Sequence, residues 1–334
     1  MAEGVKPRTI KVGTVEVAGR AALAPLAGYT EYPFRAAVAT FGCPYAVTPL
    51  ISAEGLVRRN RNTLRLLARG DDDAPVVAAQ IFGARRSAMA EAAKIVADAG
   101  FPLVDVNLGC PAPKIRKQEA GAALAGDIVA LRKIARAVVA ASPVPVTAKM
   151  RLARDASDKS TLAAAKLLFE EGVEALTVHG RAVDQGLRGP VDFRAVREIA
   201  ETVPVPVWAN GGVETPREAE ELLEETAAAG VMVGRAAVRR PYLINNIETY
   251  LADGTVPAPP SRAELAEAIM FHFDKAAALD GEKRAARHFR KHLLAYLKGA
   301  RGAKALLSRA ARVACSADVA DLLEEFAKPP EDGP

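Results

Sequence analysis

From residue 21 onward, the chain alternates short apolar, β-branched runs with longer stretches whose apolar positions recur every three or four residues. The first kind reads as buried strand and the second as amphipathic helix. Eight runs qualify as strands: residues 21–24, 45–48, 76–81, 103–106, 144–149, 175–178, 205–209 and 230–233. Between them, residues 87–99, 127–140, 160–171, 193–201 and 215–225 carry the helical spacing. Ahead of the first strand, I-K-V-G-T-V-E-V (residues 10–17) reads as a small hairpin. Eight strand–helix units in about 250 residues predict a (β/α)8 TIM barrel. The rival, an open doubly wound sheet, would place G-x-G-x-x-G after its first strand, where this chain has A-P-L-A-G-Y.

The repeat stops near Leu251. A proline-rich linker, D-G-T-V-P-A-P-P (residues 253–260), cannot continue a helix. Ser261 with Glu264 forms a capping-box signature that opens a second helical region. Leu265, Ile269 and Phe273, then Phe289, Leu293 and Tyr296, mark two amphipathic helices. Gly299 and Gly302 punctuate a turn, and Val319, Leu322 and Phe326 anchor a last helix. The predicted division is a catalytic barrel over residues 1–252 and a small helical bundle over 253–334, with a disordered K-P-P-E-D-G-P tail.

Composition narrows the class. Half the residues are apolar, enough for a sizeable core, and Ala-rich, aromatic-poor helices suit close packing on a sheet. Cys43, Cys110 and Cys315 are odd in number and far apart, which argues against a disulfide framework, an iron–sulfur cluster or structural zinc. No cluster of His and carboxylates shows metal-ligand spacing, so no metal is expected. The N-terminal M-A-E-G-V-K-P-R-T lacks an apolar signal region and no apolar run reaches membrane-spanning length. A soluble, cytoplasmic monomer is expected. The net charge of +5 is mild, but its excess collects near the C-terminus. Between Gly281 and Arg312 ten basic residues, including Arg287, Arg290 and Lys291, face a single acid, Glu282. A shorter run would read as a solvated face, but charge this unopposed across two helices and their turn suits a phosphate backbone, with Arg287, Arg290 and Lys291 as the expected contacts.

A barrel's active site sits at the C-terminal ends of its strands. Here those ends read Pro25-Leu26-Ala27-Gly28, Gln80-Ile81-Phe82-Gly83, Asn107-Leu108-Gly109-Cys110-Pro111, Lys149-Met150-Arg151, His179-Gly180-Arg181, Asn210-Gly211-Gly212 and Gly234-Arg235. Glycines that let backbone N–H groups approach an anion, with Arg235 as a charged clamp, describe a phosphate site; glycines serving only tight turns are the bland reading. Lys149 closes an apolar strand. It could form a Schiff base, neutralise an anion or lie on the surface. A flavin would account for Gln80 and His179 in the same mouth, and Lys149 would stabilise negative charge near N1 of its reduced form. A lone cysteine is commonly a small buried hydrophobe, but Cys110 sits in a βα loop, where its thiol can donate a proton.

The strings L-A-P-L-A-G-Y-T-E-Y-P-F-R, Q-I-F-G, V-D-V-N-L-G-C-P-A-P-K, A-G-A-A-L, A-K-M-R-L, V-H-G-R, A-N-G-G-V and V-G-R-A resemble the tRNA-dihydrouridine synthases over about residues 21–251. The C-terminal R-K-H and Y-L-K-G strings are similar to the bacterial B-type branch. The resemblance implies FMN in the barrel mouth, NADPH as reductant and tRNA as substrate. It places FMN against Pro25, Leu26, Ala27, Gln80, Lys149 and His179, with its phosphate on Asn210, Gly211, Gly212, Gly234 and Arg235. It makes Cys110 the general acid and Asn107 a uracil contact, with Lys114 and Arg181 lining the substrate cavity. Hydride from flavin N5 would add at C6 of the uridine, and Cys110 would protonate C5 from the opposite face. Leu187 stands where many members carry an aromatic, and Leu26 and Ala27 where Met is frequent. The alternatives are an FMN barrel acting on a free pyrimidine, as in dihydroorotate dehydrogenases, an RNA-binding protein on an inactive barrel, and a Schiff-base aldolase.

Overall fold

A computed structural model describes residues 9–153, 160–186, 189–300, 302 and 304–328. The tail beyond residue 328, Leu187 and Arg301 lie outside them. The strands are β1 (Ile10–Val12), β2 (Val15–Val17), β3 (Ala21–Leu23), β4 (Tyr45–Val47), β5 (Ile51–Ser52), β6 (Val76–Phe82), β7 (Leu103–Leu108), β8 (Val146–Leu152), β9 (Ala175–Ala182), β10 (Val207–Asn210) and β11 (Gly230–Val233). β1 and β2 form an antiparallel hairpin. β3, β4 and β6 to β11 are all parallel, each to the next, and the β3–β11 pairing closes the ring. With helices around it this is a (β/α)8 TIM barrel followed by C-terminal helices.

Side chains on a strand alternate between faces, so every second residue of each barrel strand points inward. The lower interior is apolar: Ala22, Ala24, Tyr45, Val47, Val76, Ala78, Leu103, Ala175, Trp208 and Met232 pack into one cluster. Ile10, Val12 and Val17 of the hairpin join that cluster and plug the N-terminal end of the barrel. Two residues further along the same inward rows the character changes, to Gln80, Asp105 then Asn107, Thr147 then Lys149, Thr177 then His179, and Asn210. The barrel is thus filled with hydrocarbon below and polar groups at its C-terminal mouth.

Most strands run past their expected ends. β7 continues to Leu108, β8 to Leu152 and β9 to Ala182. The ladder needs only backbone groups, so it persists through Asn107, Arg151 and His179 where an apolar criterion stops. β5 was not anticipated. Pro49 lies between β4 and β5, and the chain moves from pairing with Tyr45–Val47 opposite Val76–Ala78 to Ile51 opposite Ile81.

The C-terminal region is four helices, Arg262–Asp280, Glu282–Leu297, Lys304–Ala310 and Ser316–Ala327. The third is too short to leave a periodic signature. The expected capping box is present, with Ser261 accepting from the Glu264 N–H and Glu264 from the Ser261 N–H. This bundle shares the main hydrophobic core with the barrel. Phe34, on the first barrel helix (Tyr32–Ala39), packs against the rings of His272, His292 and Tyr296. Around that junction, Arg65 pairs with both Glu31 and Asp280, Lys275 pairs with Asp72, and Lys291 lies over the Tyr29 ring.

The same helix carries Arg35, whose side chain is fully buried. Its guanidinium donates to both Asp73 oxygens, at 3.1 and 2.6 Å, and to the carbonyls of Thr30 and Ala68. The arginine of the T-E-Y-P-F-R string is therefore a structural tie and not a site residue. Asp73→Ala strands this charge away from water and should lower stability by about 3–5 kcal/mol in urea unfolding. A loss below about 1 kcal/mol would show the pair behaving like a surface ion pair.

Candidate active site

The polar ends of the inward rows converge on one cavity of about 280 Å³ at the mouth. It is lined by Pro25, Leu26, Ala27, Gln80, Asn107, Cys110, Lys149, His179, Arg181, Asn210, Gly211, Gly212, Gly234 and Arg235. Sequence reasoning had singled out each of these. Lys114 does not line it; it is exposed on the short helix Pro113–Arg116. Arg287 is exposed on the helix Glu282–Leu297, outside the cavity. Arg290 donates to the Val313 carbonyl at 2.8 Å, and Lys291 is half-buried over Tyr29.

A chain of hydrogen bonds runs from the barrel interior to the cysteine. Thr147 Oγ1 donates to Asp105 Oδ1 at 2.6 Å, and Gln80 Nε2 donates to Asp105 Oδ2 at 2.7 Å. Asn107 Nδ2 donates to Gln80 Oε1 at 2.7 Å, and the Cys110 backbone N–H donates to Asn107 Oδ1 at 3.1 Å. Gln80, expected to face a cofactor edge, thus spends one donor and one acceptor inside the protein. The Cys110 side chain is half-buried and borders the cavity, as does Arg151. Arg151 itself holds the loop after β9, donating to the carbonyls of Gly186 and Ala182. Cys43, by contrast, is buried, and desolvation pushes its thiol up to about 12.

Lys149 Nζ donates to Asn210 Oδ1 at 2.8 Å, and Asn210 Nδ2 donates to the Met232 carbonyl. Burial pulls the Lys149 ammonium down to about 7, with Asp105 opposing the shift, while burial raises the Asp105 carboxyl to about 6. Burial, then the charges of Lys149, Arg151, Arg181 and Arg235, hold His179 far below the usual imidazole range, so it is neutral. Its Nδ1 accepts the Arg181 backbone N–H at 3.2 Å, which leaves the ring proton on Nε2 as a donor.

Gly211 and Gly212 have φ of 128° and 82°, values that side-chain-bearing residues rarely adopt. A methyl group on Gly211 would lie 3.4 Å from an Arg181 guanidinium nitrogen and 3.4 Å from the His179 ring. Arg181 therefore reaches the glycine pair, where it also feels Arg235. Among the described residues Arg235 has no hydrogen-bonding or ion-pairing partner. Two guanidiniums, a half-buried ammonium, neutral imidazole and bare backbone converge on the cavity; Asp105 acts on the ammonium from below, and Glu214, at the rim, pairs with Arg239 and Arg240 instead of Arg181 or Arg235. The arrangement suits a phosphate-bearing ligand.

Asp105 and Thr147 were missed by sequence reasoning, and Arg151, read only as part of a strand end, was given no role. Each lies two residues from a named candidate on the same strand face, and extending the period-two row from Asn107 and Lys149 would have found them.

The family profile described as dihydrouridine synthase (Dus) matches residues 22–329. A probable tRNA-dihydrouridine synthase of Rickettsia bellii is 35% identical over 290 residues, 87% of this chain and 89% of the relative. The tRNA-dihydrouridine synthase B of Pseudomonas syringae pv. tomato is 35% identical over 305 residues, 90% of each. That of Xanthomonas campestris pv. campestris is 33% identical over 96% of this chain and 98% of the relative. Among solved structures, histamine dehydrogenase from Rhizobium sp. 4-9 superposes with a TM-score of 0.57 at 12% identity, over 81% of this chain and 51% of that one. That likeness is one of fold, and this chain spans about half the length of that protein. By its sequence over nearly its whole length, the chain belongs to the dihydrouridine synthase family.

Proposed function

We propose that this protein is an FMN-dependent, NADPH-driven tRNA-dihydrouridine synthase that reduces the C5=C6 bond of a tRNA uridine. The observation that carries the reading is the single cavity in which Cys110 and Asn107 meet the cationic glycine cradle. FMN would be held by Pro25, Leu26, Ala27, Gln80, Lys149 and His179, with its phosphate on Asn210, Gly211, Gly212, Gly234 and Arg235. Bound there, it supplies the hydride that adds at C6 of the uridine, NADPH being the source of electrons. Arg181 reaches the same glycines and would share the phosphate. His179, neutral, can donate from Nε2, and Lys149 sets a positive charge where electron density accumulates.

Addition at C6 leaves negative charge on the uracil C4 enolate and a proton to be added at C5. Cys110 holds that proton on Sγ, beside the cavity, and delivers it as a general acid. Asn107, tied to the Cys110 loop, keeps the uracil edge in register with the thiol. A base in folded tRNA must leave its stack to reach a barrel mouth. The exposed Lys283, Arg284, Arg287 and Lys298 on the helix Glu282–Leu297 and its C-terminal end offer a polyanion-binding face that a free pyrimidine would not require. Lys114, exposed on the helix Pro113–Arg116, would contact the RNA backbone. The reading includes a cytoplasmic monomer that needs no metal; among the described residues no helix is long and apolar enough to cross a membrane.

Purified protein should show oxidised-flavin absorbance, and Arg235→Ala should weaken FMN binding about 10–100-fold, the worth of one charge-assisted hydrogen bond. Colourless protein that cannot take up FMN would overturn the proposal. The same titration has a pH signature. An anion beside Lys149 raises its pKa above the free value of about 7, so binding takes up a proton above that pH. Above about pH 7, where the ligand's phosphate is already a dianion, affinity should fall by at most about tenfold per unit, and Lys149→Met should abolish that fall.

Cys110→Ala should leave flavin reduction by NADPH near the wild-type rate and reduce dihydrouridine formation by about 10²-fold or more, the range of general-acid contributions. Product at the wild-type rate would remove Cys110 from the reaction.

For tRNA, Lys283, Arg284 and Arg287 are exposed, whereas Arg290 and Lys291 hold structural positions. Replacing the three exposed residues by Ala should weaken tRNA binding and spare NADPH oxidation. It should also lower the log–log salt slope by about one for each phosphate no longer neutralised. An unchanged affinity and slope would identify that face as merely solvated.

A further inference from the structure

The general-acid reading leaves a buried carboxyl beneath the cavity, Asp105, without a task. Asp105 is 2% exposed, deep on β7, and touches no cavity surface. Its two oxygens are taken by Thr147 Oγ1 and Gln80 Nε2. An ionised carboxylate accepts hydrogen bonds and cannot donate. Its raised value of about 6 still leaves it ionised at neutral pH.

That one-sidedness dictates everything above it. Gln80 must point Nε2 at the carboxylate, which turns Oε1 toward Asn107. Asn107 must then offer Nδ2 to Gln80, which turns Oδ1 toward the Cys110 N–H. A flipped Gln80 amide would set oxygen against oxygen at Asp105 and nitrogen against nitrogen at Asn107. Amides have nearly the same shape either way round, so packing alone does not choose between the two orders. We propose that Asp105 is a positioning residue: its carboxylate fixes the donor–acceptor order of Gln80 and Asn107 and so anchors the loop that carries Cys110. The consequence for catalysis rests on the general-acid reading; the consequence for the loop does not.

The test compares Asp105→Asn with Asp105→Ala in the FMN-loaded enzyme, measuring iodoacetamide alkylation of Cys110 by peptide mass mapping alongside dihydrouridine formation. In Asp105→Asn the side-chain amide can turn either its oxygen or its nitrogen toward Gln80, because the Thr147 hydroxyl can donate or accept. The volume and the hydrogen bonds survive but the one-sidedness is lost, so alkylation should quicken by about threefold or more, toward the rate of the Ala variant. In Asp105→Ala the order is lost. Alkylation of Cys110 should quicken about tenfold, the opening equilibrium released by one net hydrogen bond. Turnover should fall while reduction of the flavin by NADPH persists.

Asn107→Ala removes the acceptor for the Cys110 N–H and leaves the carboxylate in place, so it should quicken alkylation even if Asp105→Ala does not fold. Wild-type alkylation in Asn107→Ala, or in Asp105→Asn, would overturn the proposal. If instead Cys110→Ala turns over normally while these alkylation rates behave as described, the general-acid reading fails and the anchoring role stands.

Discussion

A carboxylate inside a barrel must find donors, because its lone pairs cannot reach water. Asp105 finds them in Thr147 and Gln80, one from each neighbouring strand, and the mouth of the barrel is ordered from that point outward. The parallel register sets Asp105 opposite both residues, so the interaction is a property of the sheet and not of a mobile loop. Beneath it the interior is hydrocarbon, sealed by the β1–β2 hairpin. Above it Gln80, Asn107 and Lys149 each have a partner in the wall, and the loop holding Cys110 is the last link.

Electrostatics complete the mouth. Lys149, Arg151, Arg181 and Arg235 converge from the ends of β8, β9 and β11, and burial with their combined field keeps His179 neutral. Arg151 uses its hydrogen bonds on protein carbonyls, whereas Arg235 has no hydrogen-bonding or ion-pairing partner among the described residues. Such a concentration of positive charge around two glycines in left-handed conformations is costly in isolation and favourable around a dianion. The C-terminal helices contribute indirectly. Lys291 and His292 press on Tyr29, next to the Pro25–Ala27 segment, so the bundle braces one wall of the cavity as well as offering a basic face.

The barrel was legible because its strands are short apolar runs and its helices keep an amphipathic period; tertiary structure moved the strand ends by one to four residues and added β5. The mouth was legible because barrels gather function at strand ends, which is where Cys110, Lys149, His179 and Arg235 lie. What escaped were relations between strands. Gln80 looked like a cofactor contact in its own strand, and only the neighbouring strand reveals that Asp105 and Asn107 claim its amide. Arg290 and Lys291 looked like members of a uniform basic run, because the 3.6-residue winding that turns them toward Val313 and Tyr29 depends on what the helix packs against. Arg35 read as part of a family string although it is a buried tie to Asp73.

The central claim is that a fixed thiol, and not solvent, protonates C5. Reducing tRNA with the wild-type enzyme in D2O and reading the dihydrouridine by NMR addresses it directly. A proton donor held on the face opposite the hydride predicts deuterium at C5 as a single stereoisomer, anti to the hydrogen newly added at C6. Deuterium on both C5 faces, or on the same face as the C6 addition, would contradict it.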